Sequence, residues 1–319
     1  MSLDPALLAR LGPLPVRARR VMEGVLTGLH KSPHQGQSVE FAEHKDYAPG
    51  DEIRHIDWRA FAKLDKYYVK RFEMETNLRA LLVVDASGSM AYGRGAMTKL
   101  EYAAVCAGAL AYLLARQGDQ VGLLLAGDPD PASTERLPAG VRAFLPFASS
   151  PAHLQETLRR LEGAKGTGPT DLPRALDFAA EKAGRRALVV VLSDLFDPSE
   201  TTLPALKMLR GRRHDVVVLH LLDREELEFP FDDPTRFLSM EDERQFDAQP
   251  RQIRESYLQE LARFLESTRR ELTRSDVDYD QIATDEAPDK ALLRLLARRQ
   301  AQRGAQRKGQ AERATPERG

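Results

Sequence analysis

From residue 79 onward, short unbroken apolar runs alternate with stretches whose apolar residues recur every three or four positions. Ala80–Val84, Val121–Ala126, Ala187–Leu192 and Val216–Leu221 read as near-continuous apolar strands, and Val277–Ile282 is a further strand candidate. Between the first two, Leu100, Ala103, Ala104, Ala107, Leu110, Ala111 and Leu114 form a helical stripe that stops at Gly118. Similar stripes run from Leu172 to Ala183 ahead of Gly184, through Leu203, Leu206 and Leu209 ahead of Gly211, from Ile253 to Leu272, and from Leu292 to Leu296. Strands that are apolar throughout must be covered on both faces, and the helices between them supply the cover. The pattern therefore predicts a doubly wound α/β fold with a mostly parallel sheet of Rossmann type.

The first 76 residues follow another rhythm. A helical start, Leu7 to Leu29, leads into a loop rich in Gly and His. An alternating run follows, in which Tyr68, Lys70, Phe72 and Met74 oppose Val69, Arg71 and Glu73. This predicts an N-terminal adjunct over residues 1–76, a main domain over 77–300, and a tail over 301–319. From Arg298 on, seven basic residues against Glu312 and Glu317 leave +5, and no aromatic accompanies the charge. The expectation is a solvated, disordered tail rather than a nucleic-acid arm.

Charge and cysteine content narrow the class. The 319 residues hold 47 basic and 48 acidic side chains, for a net charge of -1, which gives no whole-chain attraction to nucleic acid or acidic lipid. Cys106 is the single cysteine, so no disulfide forms within the chain. No leader-like segment opens the sequence, and the longest apolar runs are too short to span a bilayer. The expectation is a cytoplasmic protein.

Chemistry gathers where the first main strand ends. In "LLVVDASGSM" a buried run passes straight into Asp85, Ser87 and Ser89. An open parallel sheet binds ligands in the crevice beyond the C-terminal strand ends. "VVVLSDLFD" brings Asp194 to that edge, and "GTGPTDLPRAL" brings Thr170 on a Gly-flanked loop. Hard cations take oxygens converging from several loops, and carboxylates held together repel unless a cation offsets them. Hydroxyl donors leave the ion with residual positive charge and an open position. That suits Mg²⁺, with Mn²⁺ or Ca²⁺ as alternatives. Singly, each residue also serves as a turn former or a helix cap.

The set Asp85, Ser87, Ser89, Thr170 and Asp194 resembles the metal-ion-dependent adhesion site of von Willebrand factor A domains. Upstream, "YAPGDEIRHIDWRAFAK" and "YYVKRFEMETN" closely resemble the signature of a bacterial family, domain of unknown function 58, in which such a run precedes an A domain. The likeness covers about residues 12 to 300, including "EFPFDD" and "YLQELARFLE". One departure is Lys45, two places before Tyr47, where many members carry Arg. Members are often encoded beside MoxR-type AAA+ ATPases. The resemblance thus implies a non-enzymatic adaptor or client recruiter that meets such an ATPase, its client, or both through an acidic side chain. Asp51, Arg54, Asp57, Trp58 and Arg59 are then a partner surface or, as the favoured reading, a local salt-bridge clamp over a buried Trp58.

Rival readings are a metal-assisted hydrolase and a metal-free scaffold. The hydrolase needs a base near the strand ends. His214 and His220 lie on a strand as structural residues, Pro33 disrupts the spacing of His30 and His34, and Cys106 faces the core of a helix. No phosphate-binding glycine fingerprint is present.

Overall fold

The structure is a computed structural model that describes residues 3–10, 12–31, 44–46, 68–70, 78–129, 136–169, 171–196, 199–242 and 244–313. It divides into two compact units, one formed by Met1–Leu29 with Leu78–Gly319 and the other by His30–Asn77. In the smaller unit, β1 (His44–Asp46) pairs antiparallel with β2 (Tyr68–Lys70). Residues 1–29 group with the unit that carries the larger sheet. Asp51, Arg54, Asp57, Trp58 and Arg59 lie outside the described residues.

Six strands form the main sheet: β3 (Arg79–Asp85), β4 (Gln120–Ala126), β5 (Val141–Ala148), β6 (Leu188–Ser193), β7 (Asp215–Leu222) and β10 (Asp278–Ala283). Their order is β10-β7-β6-β3-β4-β5, and every pairing is parallel except β4 with β5. Strand alternation divides the core. Leu82 and Val84 face one cluster, packed by α2 (Leu14–Lys31), α3 (Lys99–Arg116) and α9 (Pro288–Arg313). Leu81 and Val83 face the other, packed by α5 (Leu172–Lys182), α6 (Ser199–Gly211) and α8 (Pro250–Arg274). This is the doubly wound α/β fold that the apolar strands require.

The helix starts follow from local chemistry. Thr98 caps α3 and exchanges hydrogen bonds with Glu101 in a capping box. Ser150 caps α4 (Pro151–Glu162), and Asp171 caps α5. At the N-terminus, α1 (Pro5–Ala9) and α2 replace the single predicted helix, because Gly12 adopts φ +83° and Pro13 follows it.

Two expectations change. The antiparallel edge strand β5 is absent from the sequence reading because it is only half-buried and carries Pro146, which cannot donate to a ladder. The segment predicted as a disordered tail continues α9 as far as Arg313. Its basic start is used structurally. Arg298 donates to the Tyr279 carbonyl and the Asp280 carboxylate, and Arg299 to Asp278 and Asp215, so these arginines bind the edge strand β10 and the start of its neighbour β7. No described helix is long and apolar enough to cross a membrane.

Candidate functional site

Chain direction reverses across the sheet between β3 and β6. From β3 the chain steps to β4, then returns past β3 to β6 by way of α5 on the opposite face. Ligand crevices form at such a switch point. Asp85 ends β3, and Ser193 ends β6 with Asp194 directly after it. All three side chains are buried.

The loop after β3 is fixed from several sides. The Ser87 backbone N–H donates to Asp85 Oδ1 at 3.0 Å, and the Ser193 hydroxyl donates to Asp85 Oδ2 at 2.7 Å. Both oxygens of Asp85 are therefore engaged, and the Ser193 bond joins the two strand ends. The Ser87 and Ser89 hydroxyls lie 3.0 Å apart. Gly88 between them donates its N–H to the Gly168 carbonyl at 2.8 Å, which pins the loop leading to Thr170 onto the serine loop. Arg142 holds that second loop from behind through the carbonyls of Lys165 and Thr167. Thr170 itself lies outside the described residues. Asp85, Ser87, Ser89 and Asp194 are brought to one edge, as their positions at strand ends predict.

A hairpin closes one side of the loop. Strands β8 (Thr235–Leu238) and β9 (Gln245–Ala248) pair antiparallel, with Phe237 opposite Phe246. A Cβ on Gly88 would stand 1.9 Å from the Met240 carbonyl oxygen, so only glycine admits this backbone approach. The hairpin rests on an aromatic group in which Phe229 stacks on Phe237 at 5.7 Å and meets Tyr257 at 4.6 Å.

Sequence reasoning missed the second layer of this site. Lys99, at the start of α3, is fully buried, with Nζ 2.7 Å from Asp194 Oδ2 and 2.6 Å from Glu226 Oε1. Glu226 belongs to α7 (Arg224–Glu228) and also accepts from the Asp223 N–H in a capping box. His220 lies inside β7. Its Nε2 donates to the Asp194 carbonyl at 2.7 Å, and its Nδ1 accepts from the Tyr279 hydroxyl at 2.8 Å. Those partners settle the tautomer. The signal for Lys99 was its spacing: it shares a helix face with Ala103 and Cys106, and a lysine on a core face must be paired.

Electrostatics follow from burial. Burial, and behind it the Asp194 charge, pushes the Asp85 carboxyl up from 3.8 to about 6, against hydrogen bonds from Ser193 and Ser87. Burial pulls His220 down from 6.5 to about 4, against the opposing pull of Asp194. Burial alone would lower the Lys99 ammonium, yet Asp194 and Glu226 outweigh it and hold it above the ordinary lysine value. Glu226 moves up, because burial outweighs the attraction of Lys99. With all four groups ionised, Asp85, Asp194 and Glu226 against Lys99 leave two negative charges without a counter-ion in the cluster.

The donors fit a small hard cation. They are hydroxyl and carboxylate oxygens with no thiolate and no free imidazole nitrogen, so they suit Mg²⁺ better than zinc. No group of three or more His, Cys, Asp or Glu side chains among the described residues is arranged to hold a metal.

The sequence model of the family described as "Protein of unknown function DUF58" matches residues 43–266, and the chain belongs to this family. Uncharacterized proteins of Mycobacterium tuberculosis and Mycobacterium bovis are each 29% identical over 231 residues, spanning 71% of this chain and 68% of the relative. Among solved structures, the conserved hypothetical protein BatB from Bacteroides thetaiotaomicron aligns with a TM-score of 0.45 and 16% identity, over 69% of this chain and 98% of that one. The pilus adhesin SpaC from Lactobacillus rhamnosus GG aligns with a TM-score of 0.43 and 14% identity, over 69% of this chain and 30% of that one.

Proposed function

We propose that this member of the DUF58 family is a non-enzymatic interaction module that captures an acidic side chain of a protein partner through a divalent ion. Ser87, Ser89 and Thr170 hold the ion, Mg²⁺ in the first instance and Mn²⁺ or Ca²⁺ as alternatives, while Asp85 and Asp194 act largely through water. The partner is a MoxR-type AAA+ ATPase, its client, or both, and the module acts in the cytoplasm as adaptor or recruiter.

The observation that carries this reading is the Ser87–Ser89 hydroxyl pair, 3.0 Å apart, on the loop that leaves the buried Asp85 at the switch point of the sheet. With neutral direct donors the ion keeps its charge, so affinity rests on the incoming carboxylate. Two further features favour binding over catalysis. Both ring nitrogens of His220 are engaged, and Lys99 is buried between carboxylates, so neither is placed to take a proton from a substrate.

Calorimetric titration of Mg²⁺ and Mn²⁺ into the wild type and into a folded Asp85→Ala, Ser87→Ala double variant tests the reading. Saturable binding that the variant loses supports it, as does ion-dependent capture of the ATPase. A partner complex equally strong with and without the ion would replace this reading with the metal-free scaffold.

A further inference from the structure

The metal reading gives Lys99 no task, yet the chain buries its ammonium against Asp194, one of the carboxylates that reading assigns to the ion. Its Nζ donates to Asp194 Oδ2 at 2.7 Å and to Glu226 Oε1 at 2.6 Å, and the Phe196 ring lies 4.9 Å away. Asp194 Oδ1 meanwhile accepts the Phe196 N–H at 3.2 Å. Both oxygens of Asp194 are thus engaged within the protein, and both oxygens of Asp85 are engaged in the same way. A direct bond from Asp194 to an ion would have to displace Lys99 at Oδ2 or compete with the Phe196 N–H at Oδ1, and displacing Lys99 would strand a buried charge. An ammonium and a divalent ion that share one carboxylate also repel each other across a poorly screened interior.

We propose that Lys99 is a resident cation of the adhesion site, which holds Asp194 in the outer sphere and keeps intrinsic affinity for the divalent ion low. Ion capture then depends on the partner's carboxylate, and the loops stay assembled with or without the ion. The inference rests on the metal reading above. Glu226 is the second anchor of the same ammonium. As a member of the α7 capping box, it ties the site to the segment that leads into the β8–β9 hairpin.

The test compares Mg²⁺ affinity and Mg²⁺-dependent melting of the full chain as wild type, Lys99→Met, Lys99→Arg and Glu226→Gln. Lys99→Met is expected to melt below the wild type without the ion. It should bind Mg²⁺ at least about tenfold more tightly and gain more melting temperature from it. Adding Ser87→Ala to that variant should abolish the gain, and Lys99→Arg should restore wild-type behaviour. Glu226→Gln, which leaves Lys99 in place and removes one negative charge, should bind Mg²⁺ more weakly than the wild type.

Lys99→Met with unchanged or weaker Mg²⁺ affinity would make Lys99 a structural strut and overturn the inference while leaving the metal reading intact. If Lys99→Met does not fold even with Mg²⁺, unchanged affinity in Glu226→Gln overturns it. Failure of the wild type and every folded variant to bind any divalent ion would remove the metal reading, and this inference with it.

Discussion

Asp85 and His220 titrate in the same pH range and pull stability in opposite directions. The folded Asp85 carboxyl is raised from 3.8 to about 6, so its contribution is present below 3.8 and is lost as pH rises through 6. The folded His220 is lowered from 6.5 to about 4, so its contribution is present above 6.5 and is lost as pH falls through 4. At 1.36 kcal/mol per pH unit, each shift corresponds to about 3 kcal/mol. Between pH 4 and 6.5 the two slopes nearly cancel in the wild type. Asp85→Asn removes the falling component, and the stability of that variant should rise with pH by about 3 kcal/mol relative to the wild type. His220→Gln removes the rising component and should fall by about the same amount. Urea unfolding followed by far-UV circular dichroism, at closely spaced pH values and without divalent ions, measures both differences, because the remaining ionisable groups are common to all three proteins. Parallel curves for wild type and variants would refute the electrostatic account of the site.

Gly88→Ala places a methyl group against the Met240 carbonyl, where neither backbone can yield cheaply. The expected cost is about 1–3 kcal/mol, read as a fall of several degrees in calorimetric melting, and an unchanged melting temperature would show that the hairpin does not seat there. Cys106 is fully buried and burial raises its thiol, so it should react with a thiol reagent only at the rate of unfolding. Immediate labelling of the native protein would contradict its place in the core. Arg142→Ala should speed backbone hydrogen exchange at residues 165–168, whose loop loses two carbonyl anchors, and leave the exchange of β3 unchanged.

Some of the site was legible because backbone rules place it. Asp85 and Asp194 each follow a run of apolar residues, and a parallel sheet with right-handed crossovers delivers such residues to one edge. Ser193 was equally well placed in "VVVLSD" and was passed over, because a serine that ends a buried strand reads as an ordinary terminus. The hydrogen bond it donates to Asp85 exists only once β3 and β6 are neighbours.

Sequence by itself determined the doubly wound fold, since strands apolar on both faces have few other ways to be buried, and it determined which carboxylates and hydroxyls emerge at the strand ends. The edge strand β5 and the full extent of α9 came from elsewhere. A half-exposed strand with a proline carries little periodic signal, and Arg298 and Arg299 find their acidic partners only on the finished sheet. The charge balance of the site was likewise a tertiary decision. Lys99, Asp194 and the segment carrying His220 and Glu226 come from distant parts of the chain, and burial together, which no local pattern encodes, turns ordinary side chains into a paired ammonium and a neutral imidazole.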